Sequence, residues 1–371
     1  MSWELLEGDA ALAQALEANA GATAVAVDTE FMRRNTYFPK VALVQLCFGG
    51  TALLIDPLSL DDPSPLSGLL TDPSITKVLH SASEDLEVFD HWLGVLPAPL
   101  FDTQRAAALL DRGFGLSYRA LVEAVCGVDL PKGETRSDWL QRPLTESQCE
   151  YAAQDVTYLV SVYQDLLQGS QQHQRLDWIL ADGADAVANF GAASRDYHRR
   201  IKSGWKLDAA QLGCLQAISA WRESTARQRD KPRGWIIDDK ACFELARNRP
   251  DDLRELAEVT GLPHGAVRRF GDELLELIRA QEAVAVGDLP EPLPGPLSAP
   301  QRNTLKSLKQ RARVIAESLG MAPEVLLPGK DYELLIREGG GETIAIPGHW
   351  HGWRAGHVIA PLRLHLMERG E

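Results

Sequence analysis

The chain has 371 residues, 45% of them hydrophobic, which is enough for two or three domains with a sizeable core. No apolar run reaches the length of a membrane helix, and the start MSWELLEGDA lacks the features of a signal peptide. Five widely spaced cysteines without a C-x-x-C pair argue against a disulfide framework and a zinc site. We therefore expect a cytoplasmic protein with no membrane partner.

The formal net charge of −14 is unevenly distributed along the chain. Residues 1–170 carry 24 Asp and Glu against 10 Lys and Arg, whereas residues 171–371 carry 28 of each kind. The first part alone would repel phosphate. A nucleic-acid substrate would therefore need bound cations at the site, local basic surface in the later part, or both.

The first 170 residues alternate strand and helix patterns, which predicts an α/β domain. Three consecutive strands, TAVAVDTEF, VALVQLCF and TALLIDP, form a predicted meander. A fourth strand, SITKVLHSA, feeds the helix SEDLEVFDHWL, for which Ser81 or Ser83 is the expected cap. Thr145 and Gln148 form a capping-box pattern that opens a long helix, on which Tyr151 and Asp155 share one face.

From about residue 171 the pattern becomes helical. Five prolines in VGDLPEPLPGPLSAP indicate an extended, semi-rigid spacer. The predicted division of the chain is an α/β domain over residues 1–170, a helical connector over 171–204, a helical domain over 205–285, a linker over 286–299 and a third domain over 300–371.

Four carboxylates in three separated segments indicate the chemistry: Asp28, Glu30, Asp85 and Asp155, with Tyr151 one helical turn before the last. In a strand, Asp28 and Glu30 project to one face while Thr29 points away. A single D-x-E is more often a turn aspartate with a solvated glutamate. A cluster that also includes Asp85 and Asp155 is what two divalent cations need to act on a phosphodiester.

These segments resemble a known family. VDTEF, HSASEDLEVF and Y-x-x-x-D match the three motifs of the DEDD superfamily of 3′-to-5′ exonucleases, in its tyrosine subgroup, and residues 20–170 look very close to bacterial ribonuclease D. The resemblance implies a ribonuclease H-like mixed sheet followed by two small all-α domains. Residues 205–285 resemble an HRDC domain, and residues 300–371 resemble a second, divergent HRDC-like domain.

The resemblance also implies roles for the carboxylates. Asp28, Glu30 and Asp155 would hold one divalent ion, Mg²⁺ or Mn²⁺, and Asp28 would bridge to a second. Asp85 would support the second ion directly or through water. Tyr151 would orient the attacking water.

An exonuclease that degrades from the 3′ end needs aromatic or apolar wedges against bases and basic contacts to the backbone. The candidates for substrate contacts are Phe31, His80, Lys132, Trp139, Arg142, Arg229 and Trp235. The histidine-containing segment HWHGWRAGH lacks nearby cysteines or carboxylates in sequence and is assigned no chemistry.

The carboxylate cluster and the resemblance together predict a metal-dependent 3′-to-5′ exonuclease, and the resemblance implies that it acts on RNA and releases 5′-mononucleotides. The resemblance implies that it acts on RNA with a single-stranded 3′ end, such as precursor tRNA and other small structured RNAs. We expect a monomer. A DNA 3′-to-5′ exonuclease is the nearest alternative, because the motifs contain nothing that senses a 2′-hydroxyl. A non-catalytic nucleic-acid-binding adaptor is the alternative from another class.

Overall fold

The computed structural model describes residues 2–131, 133–134, 137–191 and 196–368. Within these residues the chain forms two compact units. The first comprises Met1–Met32, Pro39–Ala188 and Leu297–Glu371, and the second comprises Arg33–Phe38 and Asn189–Pro296. Both units are therefore discontinuous in sequence, and the five successive segments expected from the sequence remain a prediction.

The first unit contains a mixed sheet of six described strands: β1 Trp3–Leu6, β2 Ala24–Met32, β3 Lys40–Cys47, β4 Ala52–Ile55, β5 Thr76–Leu79 and β6 Leu100–Asp102. Their order across the sheet is β1-β4-β3-β2-β5-β6. The predicted meander β2-β3-β4 is antiparallel, whereas β1 pairs with β4, β5 with β2 and β6 with β5 in parallel. The sequence pattern does not predict β1 and β6, because four or three residues are too few to show alternation.

The helices that follow these strands in the first unit are α1 Asp9–Ala18, α2 Ser64–Thr71, α3 Ser83–Leu93, α4 Thr103–Leu109, α5 Tyr118–Cys126, α6 Glu146–Gln172 and α7 Leu176–Ala188. The capping box at the start of α6 is confirmed, since Thr145 and Gln148 exchange the two expected hydrogen bonds. Helix α6 then packs against the strands β1 to β5. This packing fixes the face of α6 that carries Asp155.

The predicted serine cap of α3 is wrong. The residue before the helix is Ala82, which has no capping side chain. The Asp102 carboxylate at the end of β6 accepts hydrogen bonds from the backbone N–H groups of Ser81 and Ala82, both at 3.1 Å. A carboxylate from a neighbouring strand thus satisfies the N–H groups that lead into the helix, which local sequence cannot reveal.

The second unit is helical, as predicted, with α8 Ala209–Arg229, α9 Arg233–Ile236, α10 Asp239–Asn248, α11 Leu253–Thr260 and α12 His264–Glu282. Tyr37, from the short segment between β2 and β3, lies in the hydrophobic core of this unit. The backbone N–H groups of Tyr37 and Phe38 donate to the Asp230 carboxylate at 2.9 and 3.0 Å. The proline-rich segment also packs on this unit, because Leu293 lies against Gly204.

The C-terminal part of the first unit contains α13 Ala299–Leu319, α14 Gly329–Gly339, a π-helical turn Ala355–Ile359 and α15 Ala360–Glu368. Its buried residues form one continuous core with those of the α/β part. The Trp353 ring stacks on Trp178 of α7 with a centroid distance of 4.6 Å. Arg354 is buried and forms an ion pair with Asp182 of α7, with Nη2 and Oδ2 2.8 Å apart. The segment HWHGWRAGH is therefore held by packing and buried polar contacts.

Among the described residues, no helix has the length and apolar character needed to cross a membrane.

Candidate active site

Three of the four predicted carboxylates converge. Asp28 and Glu30 project from β2 by strand alternation, just before a bulge between Glu30 and Phe31. Asp155 comes from the middle of α6. One ligand atom from each of the three lies within 4.8 Å of the others. Residues 127 positions apart in sequence thus form one cluster because α6 packs against β2.

Tyr151 lies beside this cluster. Its hydroxyl donates a hydrogen bond to the Asp155 carboxylate one helical turn away. Burial and the negative charges of Asp155, Glu30 and Asp28 raise the pKa of Tyr151. The tyrosine therefore stays protonated, with its hydroxyl at the carboxylate cluster.

Asp85 occupies a different position from the other three carboxylates. It lies in the first turn of α3, as predicted, and is 7% exposed. The Thr29 hydroxyl donates a hydrogen bond of 2.6 Å to Asp85 Oδ1. The negative charge of Asp85 raises the pKa of Asp28, so the two carboxylates are close. Asp85 therefore stands at the edge of the cluster, and Thr29 is a contact that alternation along β2 does not predict.

Burial raises the pKa values of all four carboxylates, and the negative charges of the cluster raise those of Asp28 and Glu30 further. Burial and then the charges of Asp155 and Asp85 raise the pKa of Glu30 to about 9. Burial also raises the pKa of Asp155 and that of Asp85 to about 7. The pKa of Asp28 lies well above its usual value for the same reason, with contributions from its three acidic neighbours. The cluster thus carries an electrostatic cost that a bound cation would relieve.

A cavity of about 530 Å³ opens at the cluster. Asp28, Glu30, Asp155 and Tyr151 line it together with His80 and Tyr118. The cavity therefore provides room for a substrate group next to the carboxylates.

His80, one of the predicted substrate contacts, lines this cavity and is held in place by hydrogen bonds. Its Nδ1 lies 3.0 Å from Thr103 Oγ1 and its Nε2 lies 3.1 Å from the Leu116 carbonyl oxygen. Its ring meets the Tyr118 ring edge to face, with centroids 5.6 Å apart. Tyr118 donates its hydroxyl to the Gln154 carbonyl oxygen at 2.9 Å. Tyr118 is absent from the sequence prediction, because FGLSYRAL resembles the start of an ordinary helix.

Two predicted substrate contacts are corrected by the structure. Trp139 is 2% exposed and belongs to the hydrophobic core, so it offers no face for a base. Arg142 directs all five N–H donors to protein acceptors, at 2.6 to 2.8 Å. Two of these bonds go to the Asp56 carboxylate. Arg142 therefore has no donor left for a phosphate.

The other predicted contacts differ in their positions. Phe31 is half-buried, directly after the metal-ligand candidate Glu30. Lys132 lies outside the described residues. In the second unit, Trp235 is 63% exposed and has the Lys231 ammonium 6.0 Å from its ring centroid. These positions leave Phe31 and Trp235 as candidates for contacts with bases.

Arg229 is exposed, and its guanidinium lies 5.1 Å from the ring centroid of Phe270. Its neighbours Arg227 and Arg233 both form ion pairs with Glu223. The densest basic stretch of the second unit is therefore partly neutralised within the protein.

The comparison with known proteins agrees with this geometry. Residues 4–169 match a family described as 3′-5′ exonuclease, and residues 211–278 match the HRDC domain. Ribonuclease D of Pseudomonas paraeruginosa is 44% identical over 94% of this chain and 93% of its own length. The chain belongs to the ribonuclease D family. It is an exoribonuclease with an α/β catalytic domain and helical domains after it.

Further members of the ribonuclease D family extend the similarity. Ribonuclease D of Escherichia coli is 38% identical over 91% of this chain and 90% of its own length. The crystal structure of Escherichia coli RNase D, described as an exoribonuclease involved in structured RNA processing, superposes with a TM-score of 0.91 at 36% identity. It covers 100% of this chain and 99% of that chain. The expected fold class is thereby confirmed.

The donor set of the cluster fits the divalent metal ions that an exonuclease of this superfamily implies. All the available ligand atoms are carboxylate oxygens, which hard cations such as Mg²⁺ and Mn²⁺ prefer. Burial raises the pKa values of Glu30 and Asp155, so the site without a cation stabilises their ionised forms poorly. Asp28, Glu30 and Asp155 are therefore the residues that would hold such an ion.

Proposed function

We propose that this exoribonuclease trims the 3′ ends of precursor tRNA and other small structured RNAs with two divalent ions, Mg²⁺ or Mn²⁺, and releases 5′-mononucleotides. The observation that carries the proposal is the convergence of Asp28, Glu30 and Asp155 within 4.8 Å. We further propose that the enzyme acts as a cytoplasmic monomer.

Each side chain has a role in this proposal. Asp28, Glu30 and Asp155 would hold one ion, Asp28 would also face a second, and Asp85 would support that second ion. When bound, the ions supply an activated water and stabilise the charge that develops on the phosphate. Tyr151 would orient the water through its hydroxyl, which the hydrogen bond to Asp155 keeps at the cluster.

The proposed RNA substrate is supported by the ribonuclease D family and by the residues that line the cavity. His80 and Tyr118 place two aromatic rings beside the carboxylates, and such rings can contact the terminal nucleotide. Phe31, Lys132, Arg229 and Trp235 remain proposed contacts for the rest of the strand. The structured RNA processing described for the Escherichia coli relative supports the choice of tRNA precursors.

Single substitutions of the cluster test the mechanism. We expect Asp28→Asn, Glu30→Gln, Asp85→Asn and Asp155→Asn each to lower turnover by about 10³-fold or more, because each removes a charged ligand.

Tyr151→Phe should lower kcat by about 10- to 100-fold with little change in KM, because its hydroxyl positions water and holds no ion. Tyr158→Phe, elsewhere on α6, is the matched control and should retain activity.

The assay uses an RNA with a single-stranded 3′ end and Mg²⁺, with its DNA counterpart alongside and the products separated as mononucleotides. Near-normal turnover by Asp28→Asn and Asp155→Asn would refute the assigned site. Equal degradation of the DNA would support the DNA exonuclease alternative. Tight RNA binding without metal-stimulated release of nucleotides would instead support a non-catalytic adaptor.

A further inference from the structure

Helix α13 carries a row of basic side chains that the proposed mechanism does not use. The helix contains five Lys and Arg and a single Glu. Arg302, Lys306, Lys309 and Arg313 follow one another at intervals of four, three and four residues. At 3.6 residues per turn, these four positions fall within an arc of about 60° and extend over about 16 Å of helix. We refer to these four residues as the basic stripe.

The orientation of α13 is fixed by a buried face that lies beside the stripe. Leu308, Ala312, Ile315 and Ala316 are buried in the core of the first unit. All four members of the basic stripe are exposed. The stripe is therefore held on the surface by the packing of the helix beneath it.

The stripe has no neutralising carboxylate in the described part of the chain. Among the described residues, none of its four side chains forms an ion pair with a carboxylate. Arg302 donates a hydrogen bond from Nη1 to the Leu297 carbonyl oxygen at 2.6 Å, and within the part of the chain that the structure describes the other three side chains make none. In the second unit, by contrast, Glu223 pairs with both Arg227 and Arg233. The charges of the stripe remain available to an external partner.

The partner must itself be a polyanion with repeated charges. The stripe presents one cation about every 4.5 to 6 Å along a straight line, which suits successive phosphates better than a single anion. The acidic first part of the chain repels such a partner, so favourable contacts have to come from local basic surface. We propose that the basic stripe on α13 binds the phosphodiester backbone of the RNA substrate.

Binding in the absence of catalysis tests this inference. An Asp155→Asn background without divalent metal prevents turnover, so the result does not depend on the two-ion mechanism or on the identity of the natural RNA. The stripe variant is Lys306→Gln with Lys309→Gln. The matched control, Arg311→Gln with Lys330→Gln, removes two exposed charges outside the stripe. Each pair changes the net charge equally, so general electrostatic effects cancel.

The probes are an RNA hairpin with a single-stranded 3′ extension and the extension alone, titrated at several salt concentrations. We expect the stripe variant to bind one or both probes about 10-fold more weakly and to reduce the slope of log Kd against log salt by about 1.5 to 2. Loss on the hairpin alone assigns the stripe to paired RNA, and loss on both assigns it to the strand. The control should bind like the parent.

Equal affinities and equal salt slopes for the stripe and control variants would overturn the proposal. The charge-preserving pair Lys306→Arg with Lys309→Arg should retain binding, because phosphate contact requires the charge rather than the lysine. Loss of RNA binding by the arginine double variant, with an unchanged thermal unfolding temperature, would also contradict the proposal. The glutamine pair is exposed on a helix and should fold normally.

Discussion

Asp85 differs from the other three carboxylates because a neighbouring hydroxyl holds it. Thr29 lies between the two metal-ligand candidates of β2 and donates to Asp85 Oδ1 at 2.6 Å. The bond holds one oxygen of a carboxylate whose negative charge raises the pKa of Asp28. Thr29 thus acts as a positioning residue between two segments of the site.

The Thr29→Val and Thr29→Ser variants test this role. Valine keeps the branched shape but removes the donor, so we expect kcat to fall about 10-fold and the Mg²⁺ concentration for half-maximal activity to rise. Serine retains the donor and should restore both quantities. Metal titrations of activity measure the two effects. Equal behaviour of the two variants would show that the hydroxyl does not position Asp85.

The carboxylate cluster should make the stability of the metal-free enzyme depend on pH. The folded-state pKa of Asp155 is about 7, above its usual value of 3.8, so the folded state binds more protons than the unfolded state between these pH values. The free energy of unfolding therefore falls as pH rises through this window. Divalent cations should offset this loss by compensating the negative charge.

In EDTA, Asp155→Asn should therefore be more stable than the parent at pH 8, by about 1 kcal/mol or more, because it removes one partly buried negative charge. The difference should shrink toward pH 5. Adding Mg²⁺ at pH 8 should raise the Tm of the parent more than that of the variant. Thermal unfolding at both pH values measures this, and a difference in Tm that is independent of pH would contradict the electrostatic origin.

Helix α7 approaches strand β6 so closely that one position permits only glycine. A Cβ atom on Gly183 would lie 2.1 Å from the Leu100 carbonyl oxygen. Gly183 follows Asp182, which forms the ion pair with Arg354. The close approach therefore fixes how near α7 lies to β6, and with it the position of Asp182 for its ion pair with Arg354 in the C-terminal segment.

Gly183→Ala should lower the free energy of unfolding by about 1 to 3 kcal/mol, because either the helix or the strand backbone must move. Gly68→Ala in α2 is the matched control, since nothing lies within 4 Å of the added methyl group. That change should be neutral or stabilising by up to about 1 kcal/mol, because alanine favours the helix. Urea unfolding compares the two. Similar losses would show that α7 does not depend on this contact.

The sequence predicts those strands and helices whose alternation or capping pattern lies within one long continuous segment. β2 and α6 are recognised because alternation and a capping box mark them, and they carry Asp28 and Asp155. β1 and β6 escape recognition because each is too short to show a period. Arg142 is misread as a phosphate contact because its partner, Asp56, lies 86 positions away. A contact between distant residues leaves no signal in one sequence.

In the whole molecule, the C-terminal segment shares its core with the catalytic part. Arg354 joins the two through the buried ion pair with Asp182, and Arg105 also contacts Asp182 at 3.2 Å. The Trp178 and Trp353 rings stack beside this pair. A linear series of independent domains would not show such a continuous core, so the C-terminal segment should unfold together with the catalytic part.

Arg354→Leu should destabilise the whole first unit by about 3 kcal/mol or more, because it leaves the buried Asp182 charge poorly compensated. The control is Arg112→Gln, which breaks an exposed ion pair with Asp165 and should cost less than about 1 kcal/mol. Unfolding followed by tryptophan fluorescence measures both. A loss for Arg354→Leu no larger than that of the control would show that the pair does not support the shared core.

The segment between β2 and β3 limits how this protein can be divided or exchanged in evolution. Tyr37 packs into a core that is formed mainly by residues far along the chain. The backbone N–H groups of Tyr37 and Phe38 donate to the Asp230 carboxylate at the end of α8. Cutting out residues 189–296 alone would therefore leave an unfilled gap and an aspartate without those donors. The helical unit is therefore not one continuous piece of chain. Its transfer to another nuclease would also require the segment Arg33–Phe38 between β2 and β3.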